Sequence, residues 1–409
     1  MKTDCQEERN NVKYLAILGG NDLAIPAVKR LVSLGYKLLI VDGNSQCAAK
    51  NYADVFLHCD FSDVGSTESH LSEFELDGII SLNDFGVASA AHIARQRGLP
   101  GLSEFSQGCV TSKIQMKRVW LDNQVHTAQA TFSTVKLILD GQFPDWDIWP
   151  CIVKPDFSGG GSRGVFYADD WLSVQEKLSE VKNQYLNGGV VIEEFIQGSE
   201  HTIEVIVYNG TPQVLSISDK ENYSKNYTVV QTLYFPGPIG NRNKVQISQA
   251  IHDACRAMEF YNGAFHFEVI LRGKKIYLLE VGGRPGGGLN FHPICELSTG
   301  FNYPEILAFI LTGKEVTLKK GKTNHLVWRY FETGTGVLNK VEGFDEVSKQ
   351  LDVVDAKLYE TIGKKRSTLE DDLKRPGYIL VRGENHSKVS ARAIQLTKSV
   401  KFFSDGSGV

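Results

Sequence analysis

The 409-residue sequence predicts an α/β protein: an N-terminal doubly wound parallel α/β domain, an α+β core after it, and a small C-terminal α+β domain. Three observations carry that prediction. The first hundred residues alternate short apolar runs with stretches of helical periodicity, the rhythm of β-α-β units. The middle of the chain holds antiparallel hairpins with tight-turn signals. The length exceeds what one core ordinarily supports. The expected boundaries are 1–105 for the first domain, 106–190 and 191–320 for two halves of the core, and 321–409 for the last.

The elements follow in order. Residues 12–18, VKYLAIL, read as a buried strand closed by Gly19-Gly20. A helix is expected through LAIPAVKRLVSLG, then a strand YKLLIVD ending at Asp42. That unit implies a right-handed crossover and a parallel sheet. DVFLHCD (54–60) and DGIISLND (77–84) repeat it, with VASAAHIARQRG as a helix. Residues 106–123 read as one helix carrying Lys113 and Lys117, residues 131–139 as a strand, and CIVKP as another. WLSVQEKLSEVKNQY (171–185) is an amphipathic helix and GVVIEEFI (189–196) a strand. SEHTIEVIVYNGTPQVLSIS is a hairpin turning at Asn209-Gly210, a strong short turn signal. A helix over 247–261 precedes a second hairpin, GAFHFEVILRGKKIYLLEVGG, turning at Arg272-Gly273. A helix over 302–313 follows. The last 90 residues read as short strands and one helix, ending in a polar SDGSGV tail.

Composition excludes several classes. The net charge of -4 favours neither nucleic acid nor an anionic membrane. Seven cysteines, an odd number with no CxxC pair, fit a reducing compartment and free thiols. The polar N-terminus lacks the apolar segment of a signal peptide, and no stretch approaches eighteen apolar residues. The expectation is a cytoplasmic protein.

The chemistry gathers in four places. In IVKPDFSGGGSRGV, Lys154 ends a strand and Ser158 to Gly164 follow as a flexible loop. A compact cation beside many backbone N–H groups suits a polyphosphate. The lysine precedes the glycines, so this is not a Walker A loop. A lid closing over phosphates is the reading, against a plain surface loop. Glu268 and Glu280 lie on the two strands of one hairpin, side by side on one face. Paired carboxylates need a cation between them, and hard oxygen ligands suit Mg²⁺. Arg284, in GGRPGGG, can grip a phosphate or carboxylate with its fork. In IEEFIQGSEHT, a backbone segment after the strand can read a nucleobase edge and a carboxylate can take ribose hydroxyls, while an exposed charged turn is the default reading of that stretch alone. At the N-terminus, Gly19, Gly20 and Asp42 have the spacing of a dinucleotide-binding turn. GGNDLA, however, is not GxGxxG, and a tight β-α turn is the favoured reading.

Taken in order, Lys113, Lys154 with SGGGSRG, EEFIQGSE, Glu268, and Glu280 with GGRPGGG resemble the ATP-grasp superfamily through roughly residues 105–315. Within it the chain looks most like the L-amino-acid ligases and other carboxylate–amine ligases. That resemblance implies an ATP-grasp core with a glycine-rich lid between the flanking domains. It implies that Lys113 and Lys154 hold the phosphates of ATP, with Ser158, Gly159, Gly160, Gly161 and Ser162 in the lid. Glu193, Glu194, Phe195 and Ile196 would lie at the adenine hinge and Glu200 at the ribose. Glu268 and Glu280 would bind one or two Mg²⁺, with Mn²⁺ as a substitute, and Arg284 would steady an acyl phosphate. His266, Gly287, Asn290 and His292 would line the substrate side. Many members carry Asn two residues after the second glutamate. Here that place is Gly282, which leaves the coordination of a second metal open. The implied reaction joins a small carboxylate to an amine, with release of ADP and phosphate. The alternative is a carboxylase or purine-pathway enzyme using bicarbonate or formate. Members often form homodimers, a point no sequence feature here decides.

Overall fold

The computed structural model describes residues 12–405 except 158, 187, 224, 225, 367, 368, 370 and 371. β1 (Tyr14–Leu18) is buried over its last four residues, as suits the inside of a sheet covered on both faces. It pairs in parallel with β2 (Leu38–Asp42) on one side, and β3 (Val55–His58) extends that edge. β4 (Leu76–Ser81) pairs on the other side, giving the order β3-β2-β1-β4. The helix α1 (Ile25–Ser33) crosses from β1 to β2 and α2 (Val64–Leu71) from β3 to β4, while α3 (Val87–Gln96) follows β4 and leads out of the sheet. The expected doubly wound domain is therefore present. Its first turn is tied by Asp42, whose Oδ2 accepts the Gly20 N–H at 2.7 Å while its Oδ1 accepts that of Asn44 at 2.8 Å. That carboxylate is taken by its own turn, in line with the tight-turn reading.

Two expectations for the next segment need correction. The helix expected over 106–123 is two, α4 (Glu104–Thr111) and α5 (Lys113–Asp122). Ser112 between them is extended; its Oγ accepts the Gln115 N–H and donates to Asp156 Oδ1 at 2.8 Å. A cap satisfied on both sides starts a new helix at the cost of the old one. Likewise 131–139 is a short strand, β5 (Ala130–Thr134), followed by α6 (Val135–Leu139), because Thr134 caps the backbone at Leu137. A small antiparallel sheet follows, in the order β5-β8-β6-β7. Its strands are β6 (Cys151–Pro155), β7 (Phe166–Ala168) and β8 (Gly189–Glu194), with α7 (Trp171–Tyr185) against them. β8 carries the small sheet to Glu194, past the division expected at 190.

The large sheet has nine strands in the order β14-β13-β9-β11-β12-β15-β19-β17, with β10 on β9. β9 (Ser199–Tyr208) and β10 (Thr211–Ile217) turn at Asn209-Gly210 as expected, both residues being left-handed at φ 49° and 74°. β11 (Asp219–Tyr223) and β12 (Asn226–Phe235) follow, then α8 (Asn241–Ala257). β13 (Gly263–Arg272) and β14 (Lys275–Gly282) form the second hairpin. After α9 (Ile294–Thr299) and α10 (Tyr303–Leu311), β15 (His325–Tyr330) pairs with β12. β16 (Gly336–Glu342) leads to α11 (Phe344–Ser348), β17 (Val353–Leu358) and β18 (Lys365–Arg366). β19 (Gly377–Gly383), α12 (His386–Ser399) and β20 (Lys401–Asp405) end the described chain. Among the described residues the C-terminal section thus has two α-helices where one helix was expected. It also continues the large sheet through β15, β19 and β17, and only β18-β16-β20 form a sheet apart.

Two buried clusters fix the site between these parts. Phe265, Phe267 and Val269 of β13 pack on Met116 and Trp120 of α5 and on Ile247 and Ile251 of α8. Each such side chain contributes roughly 1.5–3 kcal/mol on burial. Tyr303, Ile306, Leu307 and Ile310 of α10 pack on Val28 and Leu31 of α1 and join the first domain to the large sheet. Six cysteines of the described residues are buried and unpaired. Among the described residues no helix is long and apolar enough to cross a membrane.

Candidate active site

A cavity of about 370 Å³ opens where the small sheet, the large sheet, the glycine loop and the first domain meet. β6 brings Lys154 to it and β8 brings Glu193, adjacent strands that place the two side chains together. β13 and β14 bring Glu268 and Glu280, which are cross-strand partners in the register expected from the hairpin. Arg284 follows β14 directly, and Asp84 comes from the turn after β4.

Every basic group here is paired with a carboxylate. Glu193 is fully buried, with Lys154 at one carboxylate oxygen and Lys117 2.8 Å from the other. Lys117 also donates to Thr127 Oγ1 at 2.6 Å, and Thr127 to the Leu278 carbonyl at 2.6 Å. Burial works against the ionised form of Glu193, yet Lys117 and Lys154 hold its carboxyl below the ordinary range. Burial lowers Lys117, while for Lys154 the neighbouring carboxylates Glu193 and Glu280 outweigh burial and raise it. Lys113 stands 2.9 Å from Glu280 Oε1. Lys220 binds Glu200 and lies 3.4 Å from Glu268 Oε2. His266 Nδ1 is 2.7 Å from Glu204 Oε1, and Glu204 Oε2 accepts the Gly286 N–H at 2.9 Å. Despite burial, Glu204 holds the His266 imidazole up at about 9. Arg284 grips Asp84 at two points, Nε to Oδ1 at 2.9 Å and Nη2 to Oδ2 at 2.6 Å.

The glycine loop is folded onto this cavity. Gly159, Gly160, Gly161, Ser162 and Gly164 all have φ between 58° and 79°, a path that glycine takes freely and other residues rarely. Gly160 and Gly161 line the cavity with Ser162, and a Cβ on Gly160 would lie 2.6 Å from Asp84 Oδ2. Gly159 lies instead against Phe85, whose ring meets Phe157 edge-on at 5.6 Å.

Most of the residues singled out in the sequence meet here. Lys154, Gly160, Gly161, Ser162, Glu193, Glu194, Phe195, Ile196, Glu200, His266, Glu268, Glu280, Arg284, Gly287 and Asn290 line one cavity. Ser158 lies outside the described residues. His292 is a correction: it faces a different recess beside Arg30, with Nδ1 3.4 Å from Glu296 Oε2. The chain turns through a short 3₁₀ segment at 288–290, and Phe291 enters the core between Asn290 and His292. Burial, reinforced by Arg30, lowers His292 to about 4. Residues that sequence reasoning did not place include Asp84, Glu204, and the C-terminal Trp328, Tyr330, Asp372 and Arg375. Lys117 carried a signal, since it is one helical turn from Lys113 on the same face.

Glu268 and Glu280 would offer hard oxygen donors to a divalent cation, though among the described residues no three His, Cys, Asp or Glu side chains cluster as a metal site. Lysine ammonium groups stand against both, Lys220 at Glu268 and Lys113 at Glu280, where a metal would otherwise balance the charge. Burial opposes ionisation of Glu268, but Lys220 and His266 hold it far below the carboxylate range.

Comparison with known proteins places two stretches of the chain in known domain families. Residues 148–292 match the family model of the ATP-grasp domain, and residues 329–403 match L-amino acid ligase C-terminal domain 2. The chain therefore contains an ATP-grasp domain. More particularly, it carries the C-terminal domain of the L-amino acid ligases. The solved L-amino acid ligase from Bacillus licheniformis superposes with a TM-score of 0.81 at 21% identity, covering 96% of this chain and 99% of that one. At that identity the likeness is one of fold. A D-alanine–D-alanine ligase of Fervidobacterium nodosum is 29% identical over 174 residues. That match covers 40% of this chain and 52% of the ligase, about half its length. An N5-carboxyaminoimidazole ribonucleotide synthase of Staphylococcus saprophyticus is 20% identical over 319 residues, 75% of this chain and 80% of that protein.

Proposed function

We propose that the protein is an ATP-dependent carboxylate–amine ligase that forms an amide bond through an acyl phosphate, on an amino acid or a similar small metabolite. The observation that carries this reading is the convergence of Lys154, the folded glycine loop, Glu268, Glu280 and Arg284 on one cavity.

In the first step a substrate carboxylate oxygen attacks the γ-phosphorus of ATP and the bond to the β-phosphate oxygen breaks, leaving ADP. In the second an amine nitrogen attacks the acyl carbon, inorganic phosphate leaves, and the amine gives up a proton. Phosphoryl transfer asks mainly for positioning and charge neutralisation. Lys154, braced by Glu193, and the loop N–H groups hold the phosphates; Lys113 reaches them from beside Glu280. The β8 end, Glu194 to Ile196, offers its backbone to the adenine, and Glu200 offers its carboxylate to the ribose. The buried Glu193 side chain faces two lysines, so its part is to orient them. Arg284, whose Nε and Nη2 are held by Asp84, presents its remaining N–H groups to the acyl phosphate. Glu268 and Glu280 would hold Mg²⁺, which supplies positive charge at the phosphate oxygens when bound. Among the described residues seven carboxylates line the cavity, Asp84, Glu193, Glu194, Glu200, Glu268, Glu280 and Asp372, against four Lys and Arg side chains. That balance favours added cations before a triphosphate enters.

The test is nucleotide turnover with Mg²⁺ against the twenty amino acids, singly and in pairs, with products weighed by mass spectrometry. ADP and phosphate released only with a particular pair, together with a condensed product, support the ligase. AMP release contradicts the acyl phosphate, and turnover with bicarbonate alone moves the protein to the carboxylases.

A further inference from the structure

The ATP-side groups account for only part of the cavity. Another part of its wall is one apolar cluster, in which Leu23, Val230 and Leu233 pack with Trp328 and Tyr330. Arg375 enters that wall. Its guanidinium lies 3.6 Å from the centroid of the Tyr330 ring, and its side chain is 15% exposed. Its Nε donates to the Asp372 main-chain carbonyl at 2.9 Å, while Nη1 is 3.4 Å from Asp372 Oδ1. The other basic groups differ: Lys154 is held by Glu193, Lys220 by Glu200, and Arg284 by Asp84 at two points. Arg375 is the cavity's arginine with the looser carboxylate contact.

A second observation comes from the same wall. Trp328 Nε1 is a buried donor, and Asn290 Oδ1 a buried acceptor, and neither has a hydrogen-bond partner among the described residues. Unsatisfied buried polar atoms are costly and mark places a ligand completes. A guanidinium fork and an indole N–H are donors suited to a carboxylate. The acceptor at Asn290 suits an N–H on the same ligand.

We propose that Arg375, aided by Trp328, is a specificity-determining residue that binds a second substrate carboxylate, one that is never phosphorylated. The aliphatic and aromatic wall then carries the apolar part of that substrate. This rests on the ligase reading above. The carboxylate has two possible sources: the carboxyl group of the amine substrate, or a second carboxyl group on the acid.

Matched substrates separate the sources. On the amine side, each amino acid is compared with its carboxamide and its decarboxylated amine. On the acid side, aspartate and glutamate are compared with asparagine and glutamine. ADP release is followed for the unaltered protein and for Arg375→Met, Arg375→Lys and Trp328→Phe. Loss of a charge-assisted contact predicts that removing the carboxylate lowers kcat/KM roughly 10–100-fold, mostly through KM. Arg375→Met removes that discrimination, Arg375→Lys restores part of it, and Trp328→Phe, which keeps the ring, weakens it. The series in which discrimination disappears identifies the source. Undiminished discrimination in a folded Arg375→Met protein overturns the proposal, as does equal use of acid and amide by the unaltered protein. Calorimetric titration of the same compounds, with a non-hydrolysable ATP analogue present, reads the subsite without turnover. Carboxylate-dependent binding lost in Arg375→Met, without ADP release from any pair, upholds the subsite and rejects the ligase. Binding that ignores both the carboxylate and Arg375 rejects the subsite.

Discussion

Arg284 and Asp84 are joined across two domains by a two-point ion pair, with hydrogen bonds of 2.9 and 2.6 Å. Burial would raise the Asp84 carboxyl, but Arg284 outweighs it and holds the group below its ordinary value. The pair fixes the plane of the guanidinium that, on the proposed ligase reading, would face the acyl phosphate. Arg284→Ala is expected to lower ligation by about 10²–10³ in kcat, the size of a lost charge-stabilising donor. Asp84→Asn should lower kcat as well while leaving ATP affinity nearly unchanged. Steady-state kinetics with varied ATP separates the two effects.

The Lys117–Glu193–Lys154 triad makes a stability prediction. Lys117→Met leaves a fully buried Glu193 with a single cation and Thr127 without its donor. Breaking a buried pair on one side costs on the order of 3–5 kcal/mol. Urea denaturation should read a loss of that order, and Lys117→Arg should recover part of it.

His292 predicts a pH dependence. Its folded value, about 4, lies below the ordinary 6.5, so the unfolded chain binds the extra proton as pH falls. Stability is therefore full above about 6.5 and declines toward 4. At ~1.4 kcal/mol per pH unit the full loss is on the order of 3 kcal/mol. His292→Gln should flatten the acid side of the stability profile. An unchanged slope would show that His292 titrates normally.

The glycine loop predicts an effect on rate. Gly160 has φ 79°, and a Cβ there meets Asp84 Oδ2 at 2.6 Å. Gly160→Ala should lower kcat about tenfold or more through a loop that no longer folds down, since left-handed strain costs ~1–2 kcal/mol. The melting temperature should hardly move.

Much of this was legible in the sequence. The β-α-β rhythm gave the first domain, and twelve residues around Arg272-Gly273 gave the Glu268–Glu280 register, because local turn chemistry decides both. Lys154 and its loop were legible for the same reason. What escaped depended on contacts distant in sequence. Asp84 reaches Arg284 across 200 positions, and Arg375 gains its place only when β19 extends the large sheet. His292 was misplaced because a single 3₁₀ turn sends it away from Asn290. The break at Ser112 came from a side chain bonded to Asp156, a partner 44 residues on.

The most direct test of the central claim is an isotope transfer, run with the acid and amine that support turnover. The acid is labelled with ¹⁸O in its carboxylate and the released phosphate is weighed. An acyl phosphate predicts one ¹⁸O in each phosphate formed, with ADP as the nucleotide product. Phosphate free of ¹⁸O would mean that water, not the carboxylate, attacks ATP, and would contradict the assignment.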